Sequence, residues 1–373
     1  MRIRSTLRKT LFIAIITVAS LSFCSEEVMD APAPTAFECT SHVANPKGKR
    51  VVGLDILDLS QTGSFNDNID LAKQMGIDFI ALHINWTAIE TSPNVFIDPD
   101  DALASLAKIA IDNNLKFSLT IRPIDLTGKT VPKDLENKRF NVPEMSNRFD
   151  KLMDFVFTKV DPSVLQNLQI GNEIDGYDTA SEAPDFWQDY GIFLGAIAHH
   201  IHLKYPSLQI GFTGTIPGLL ENPAVFNDLL QNVDILGATY YPLNSDFNVK
   251  HPTVVFEDLN ALVAAFPSKP IYLQEVGYQS SPTNNSSESK QAEFYCNFFA
   301  AWDSQRDAIF SANLVRLHDY SITAAQEGAR PYDISDIVFI EYLRTLGIRT
   351  YDGDGTEKEA FSIIQDNLIA RGW

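Results

Sequence analysis

The sequence predicts a closed barrel of eight parallel strands, each followed by a helix, a (β/α)8 fold. Three observations carry that expectation. Eight short runs rich in Val, Ile, Leu, Phe and Tyr recur from residue 51 onward, and near-continuous apolar strands are those buried on both faces. Segments with helical spacing separate the runs, and eight such units favour closure over an open sheet. No G-x-G-x-x-G or G-x-x-x-x-G-K-[ST] follows any strand, so the usual phosphate-binding reason for an open doubly wound sheet is missing.

The expected strands, in order, are 51–57 (VVGLDIL), 78–84 (DFIALHI), 115–121 (LKFSLTI), 166–172 (QNLQIGN), 208–213 (LQIGFT), 233–241 (VDILGATYY), 270–275 (PIYLQE) and 310–317 (FSANLVRL). Between them, apolar positions at three- and four-residue spacing predict helices over 64–75, 101–114, 146–159, 187–204, 222–230, 256–265 and 288–302, with 357–371 closing the ring. Such a barrel takes about 250 residues, so 373 residues hold one barrel, over 46–373, with extensions.

The first residues are a different polymer. Arg2, Arg4, Arg8 and Lys9 precede an uncharged run at 11–23, too short to span a bilayer, which reads as a signal peptide over 1–23. Its removal takes four basic residues and no acid, moving the net charge from −19 to −23. That excess of negative charge repels phosphate backbones, so nucleic acid is excluded as a partner. Cys24 follows Leu21-Ser22-Phe23 in a setting that resembles the lipobox of bacterial lipoproteins, although Phe23 is larger than the residue normally found before the cysteine. The resemblance implies acylation of Cys24, a membrane-anchored exported protein, and an acidic tether over 24–45 with two Ala-Pro steps. Export permits a disulfide between Cys39 and Cys296; two separate buried thiols are an equal alternative.

Barrel active sites form where the strands end. Strand four ends in Gly171-Asn172-Glu173 and strand seven in Gln274-Glu275-Val276, two carboxylates on strands that face each other across the barrel. Here the sequence resembles the glycoside hydrolases of clan A, retaining barrel glycosidases with an Asn-Glu pair after strand four and a lone Glu after strand seven. The fragment Leu236-Gly237-Ala238-Thr239-Tyr240-Tyr241-Pro242 is similar to the sixth strand of the endo-β-1,4-galactanases. The resemblance implies Glu173 as acid/base, Glu275 as nucleophile and a β-linked polysaccharide or oligosaccharide as substrate, with no cofactor or metal. The chemistry independently requires two carboxyl groups with opposed protonation, one to attack the anomeric carbon and one to protonate the leaving oxygen.

Around that pair, Asn172 is expected to meet the sugar, and Tyr240 or Tyr241 to donate to Glu275. Two departures from the clan stand out. Strand two carries Ala81-Leu82-His83 where an Arg is common, and strand eight ends in Arg316-Leu317-His318 where an aromatic is common. Arg122 is the candidate replacement for the strand-two charge, and His83, His318 and Trp86 are candidate sugar contacts. Asp55 and Asp58, read as strand residues three apart, are expected on opposite faces. The departures also motivate a second reading, a non-catalytic glycan-binding surface lipoprotein on a decayed barrel.

Overall fold

Numbering the barrel strands alone, β1 (Val51–Leu54), β2 (Phe79–Asn85), β3 (Lys116–Asp125), β4 (Leu165–Asn172), β5 (Ile210–Thr215), β6 (Ile235–Tyr240), β7 (Ile271–Val276) and β8 (Ile309–Leu314) pair in parallel with their chain neighbours, and β1 pairs β8 to close the ring. This computed structural model describes Cys39, residues 43–177 and residues 185–373, all within the unit that spans 36–373. The expected signal segment 1–23, Cys24 and most of the tether lie outside the described residues.

The helices follow the periodicity that predicts them: α1 (Phe65–Gln74), α2 (Ala102–Asp112), α3 (Pro143–Val156), α4 (Phe186–His202), α5 (Pro223–Leu229), α6 (Val255–Ala265), α7 (Glu288–Ser304) and α8 (Glu359–Arg371). Local chemistry sets their starts. Ser64 and Asp67 form a capping box at α1, and the Ser287 hydroxyl accepts the Lys290 amide at α7, each satisfying amides that a helix start leaves open.

Side-chain alternation along the strands divides the interior into two cores. Outward residues such as Leu168, Ile170, Leu119 and Leu273 pack against the helices in the main apolar cluster. Inward, Phe79, Ile235 and Tyr272 plug the bottom of the barrel. Above them lies a polar layer in which Ser118 donates to Asn167, while Thr120 and Thr213 both donate to Gln274 Oε1 at 3.1 and 2.7 Å. A buried polar layer is tolerated when its members bond one another.

Three expectations are settled or corrected here. Cys39 and Cys296 form a disulfide, Cα–Cα 5.8 Å, which joins the N-terminal segment to α7. β1 ends at Leu54 rather than 57, so Asp55 and Asp58 sit on the loop beyond it. Strand alternation does not separate them. Two helices that the sequence reading does not assign, Ile322–Ala329 and Ile337–Arg344, are inserted between β8 and α8. They hold a small core of their own, Ala325, Ala329, Phe339 and Ile340, against Phe247 and Tyr320.

Candidate active site

Two local distortions turn the ends of β4 and β7 inward. Along β4, Asn167 and Gln169 face the barrel axis while Leu168 and Ile170 face the helices. Gly171 then adopts φ +92°, where an added Cβ would lie 2.6 Å from the Tyr190 hydroxyl and 2.7 Å from Ile174 Cγ2. Only glycine fits there. Glu173 follows with φ +44° and ψ +46°, a left-handed backbone costing roughly 1 to 3 kcal/mol for a residue with a side chain, a cost that clusters at functional sites. Asp175 holds this turn by accepting from Thr215 N and Thr215 Oγ1, both at 2.6 Å.

At β7 the device is a bulge. The register against both β6 and β8 shifts after Leu273, so Gln274 and Glu275, which strict alternation would place on opposite faces, both contribute to the interior. Gln274 donates to Asn172 Oδ1 at 2.6 Å. Glu275 reaches the mouth, where Tyr241 Oη donates to its Oε2 at 2.6 Å and His83 Nδ1 lies 3.5 Å from its Oε1.

Glu173 and Glu275 line one cavity of about 730 Å3, a size typical of small-molecule sites. Burial first, then the charge of Glu275, pushes the Glu173 carboxyl up to about 8; Thr239 Oγ1, donating to Glu173 Oε1 at 2.7 Å, pulls against that. Burial also raises Glu275, but the Tyr241 hydroxyl and the charges of Arg316 and then Arg122 oppose the rise. His83 is pushed down to about 4 by burial and by Arg122, so its ring is neutral at pH 7. The arrangement therefore places in one space a carboxyl raised to about 8 and a second whose rise is opposed by a hydroxyl donor and two cations.

Asn172, His83, Arg122 and Tyr241 line the cavity with the two glutamates. Asn172 donates to Asp125 Oδ1 at 3.2 Å, and Arg122 Nη1 lies 2.9 Å from Asp125 Oδ2. Three other candidates lie elsewhere. Tyr240 points away from the axis and donates to Asp258 Oδ2 at 2.9 Å, because neighbours on a strand face opposite sides. Trp86 is fully buried against Phe149 and Phe193, its Nε1 donating to Glu90, so it is core and not a sugar platform. His318 is 1% exposed, with Nε2 3.1 Å from Asn68 Oδ1 and Nδ1 3.2 Å from the Thr350 carbonyl; it clamps loops behind the site.

The cavity also takes in Asp55, Asp58, Asp125, Arg316, Tyr332 and Tyr342, which the sequence reading did not assign to the site. Arg316 carried a signal, since it stands where the clan's strand-eight aromatic was expected. Its guanidinium stacks 3.4 Å over the Tyr320 ring. Tyr332 and Tyr342 come from the insertion and had none.

No family model matches the chain, and no curated protein matches it. Solved structures do. An exo-β-1,4-mannosidase from Opitutaceae bacterium strain TAV5 matches with a TM-score of 0.65 at 14% identity over 86% of this chain; the chain spans 59% of that enzyme's length. The GH53 catalytic domain of Ignisphaera aggregans matches with a TM-score of 0.60 at 14% identity over 86% of this chain and 98% of its own. Two fungal β-1,4-galactanases are represented by a match at TM-score 0.56 and 15% identity, over 85% of this chain and 99% of the other. In fold, the chain is a single (β/α)8 barrel similar to those of clan A glycosidases, the galactanases among them.

Proposed function

We propose that the protein is a retaining glycoside hydrolase of β-linked glycans, with Glu173 as acid/base and Glu275 as nucleophile. The observation that carries this reading is that two carboxyls share one cavity with unequal support, both raised by burial but only Glu275 opposed by cations. Glu173 is raised to about 8 with a single hydroxyl donor, whereas Glu275 is held by the Tyr241 hydroxyl and by nearby cationic charge. In the first half-reaction a Glu275 oxygen bonds the anomeric carbon while the bond to the leaving oxygen breaks, and the Glu173 proton passes to that oxygen. Water then enters, gives a proton back to Glu173, and displaces Glu275 to release the sugar with its configuration retained. The barrel likeness supports a carbohydrate substrate, and the mannosidase and galactanases among the similar structures make mannans and galactans the first substrates to try.

Reducing-sugar release from β-linked galactan, mannan, glucan and xylan tests the proposal. Release by the wild type from at least one polymer, lost in both Glu173→Ala and Glu275→Ala, supports it. No release from any polymer, together with retarded migration in a glycan-containing gel, would instead favour the non-catalytic glycan-binding protein.

Export and anchoring through Cys24 belong to the same proposal. The basic-then-apolar N-terminus and an oxidised Cys39–Cys296 pair both suit an exported protein, and two acyl chains give a stable anchor. In a bacterial host the wild type should partition into detergent and Cys24→Ser into the aqueous phase; aqueous partitioning of both would leave simple secretion.

A further inference from the structure

The walls of the cavity are not equivalent. On the β3 side the lining residues Leu126, Thr127, Gly128 and Thr130 belong to a short hairpin and are partly or fully exposed. On the side of β8, β1 and β2 the lining is deep: Asn313 is 2% exposed, Ala81 6%, and the Arg316 side chain 9%. That wall carries buried polar atoms with no hydrogen bond. Arg316 Nε and Nη1, Asn313 Oδ1 and Asn85 Oδ1 are enclosed without a hydrogen bond. Asp58 Oδ2 forms an ion pair with Arg316 Nη1 at 3.6 Å, too long for a hydrogen bond, and Arg122 Nε on the β3 side is, among the described residues, the one further cavity donor enclosed in the same way. The protein has fixed this guanidinium in place by stacking it on Tyr320, yet its inner donors are left open.

Buried donors and acceptors without partners are disfavoured, by enough that nearly all such groups in folded proteins are paired. A cluster of them in the wall of a binding cavity fits a ligand that brings several hydroxyls. The insertion adds to the enclosure from above, through Tyr332, Tyr342 and Leu343. The proposed chemistry then orients the sugar chain. Glu173, on β4 next to the open β3 side, protonates the leaving oxygen, so the leaving part of the glycan extends over the exposed hairpin. The sugar attacked by Glu275, on β7, lies toward β8, β1 and β2, where the wall is closed.

We propose that the wall formed by buried Arg316 and Asn313 with half-buried Asp58 and Asn85 is a pocket for one terminal sugar, so that the enzyme removes units from the non-reducing end of its glycan, with Arg316 selecting the sugar held there. This inference rests on the glycosidase reading. It goes beyond it in committing to exo action, to the end of the chain that is attacked, and to a specificity-determining residue.

The test uses the full chain and β-1,4-linked galacto-, manno- and gluco-oligosaccharides carrying a fluorescent label at the reducing end, each also made with the terminal 4- and 6-hydroxyls blocked. The expected result is a ladder that shortens by one sugar per step from the earliest time point, and at least a 100-fold loss of rate on the blocked chains, since a site built to bond hydroxyls rejects analogues lacking them by about 10^4-fold. Labelled fragments of several lengths at the earliest time point, with blocked chains cut equally well, would overturn the pocket and leave the glycosidase reading intact. Cleavage of none of the oligosaccharides, blocked or free, together with no reducing-sugar release from any of the four polymers, would refute the glycosidase reading and the pocket with it. Arg316→Lys keeps the charge that acts on Glu275 but loses the planar fork. It should raise KM about 10-fold with kcat little changed, the size expected for one charged hydrogen bond; an unchanged KM would remove Arg316 from sugar selection.

Discussion

The two ends of the barrel treat charge in opposite ways. At the amino ends of the strands, Asp303 accepts from Arg50 at 2.8 Å, from Arg371 at 2.8 and 3.1 Å, and from the Asn45 amide at 3.0 Å. Arg50 also stacks on Trp302 and Trp373, and Trp373 Nε1 donates to Asp78, which itself accepts the Val52 amide. At the carboxyl ends, Glu173 and Glu275 are both pushed upward, Asp58 is raised to about 6 by burial and by Asp55, and Arg316 keeps open donors. The base sets its charges against opposite charges, with Asp303 between Arg50 and Arg371, which serves stability even though Arg50 Nη1 is itself enclosed without a hydrogen bond. The mouth holds charges in unfavourable protonation states and incomplete bonds, which is what a reaction needs from its surroundings.

Substitutions at the two ends should therefore separate activity from stability. The largest effect is expected for Glu275→Ala, a loss of about 10^4-fold or more in kcat, as when other nucleophiles are removed, with the melting temperature held or raised. Azide should restore turnover with inverted product, because a small anion fits the vacated space; unchanged turnover would place the nucleophile elsewhere. Glu173→Ala should lose about 10^2- to 10^4-fold, least with activated aryl leaving groups that need little protonation, and a uniform loss across leaving groups would deny it the acid role. At the base, Asp303→Ala strands two arginines and should destabilise by about 3 to 5 kcal/mol in urea titration, while kcat of the folded fraction stays unchanged. A drop in kcat with full stability would erase the contrast between the ends.

The smallest effect concerns pH. Under the proposed mechanism Glu275 reacts as the carboxylate, so activity should fall as pH drops through its pKa and fall again as pH rises through about 8, where Glu173 loses its proton. Tyr241→Phe removes the hydroxyl that holds Glu275 down, so the acidic limb should move to higher pH, with roughly a 10-fold loss in rate from one hydrogen bond to a charged group, and the basic limb should stay. The carboxyl of Glu173 also links pH to folding. Its pKa lies above the unfolded value, so the folded state keeps a proton that the unfolded state gives up, and stability falls as pH rises between about 4.5 and 8. In thermal melts, Glu173→Gln should remove the part of that dependence above about pH 6, leaving the part from Asp58, Asp150 and Asp319, each raised to about 6.

That Glu173 and Glu275 share one cavity was legible in the sequence because they fall at the ends of the fourth and seventh apolar runs, where the clan A resemblance also expects a pair of glutamates. The barrel itself was legible strand by strand, since burial on both faces writes itself as continuous apolar sequence. What failed was the direction of single side chains. Tyr240 and Tyr241 are adjacent, and only the register of β6 decides that Tyr241 faces Glu275. Trp86 follows β2 directly, but its ring turns back under α3 and α4 into an aromatic cluster with Phe149 and Phe193, a long-range contact no local pattern announces. The helices Ile322–Ala329 and Ile337–Arg344 follow β8 without a strand between them, outside the strand-then-helix repeat by which the others are assigned, so Tyr332 and Tyr342 went unseen. The bulge that admits Glu275 beside Gln274 leaves no mark in composition at all.

The most direct test of the account is covalent trapping. The protein is incubated with 2,4-dinitrophenyl 2-deoxy-2-fluoro-β-glycosides of galactose, mannose, glucose and xylose, in which the fluorine slows hydrolysis of a glycosyl-enzyme more than its formation, and its intact mass and peptides are then measured. The account predicts a mass increase of one fluorosugar with at least one of the four, carried by the peptide that contains Glu275, and absent from Glu275→Ala. An adduct on any other carboxylate, or unmodified protein with all four, would contradict the assignment of Glu275 as the nucleophile.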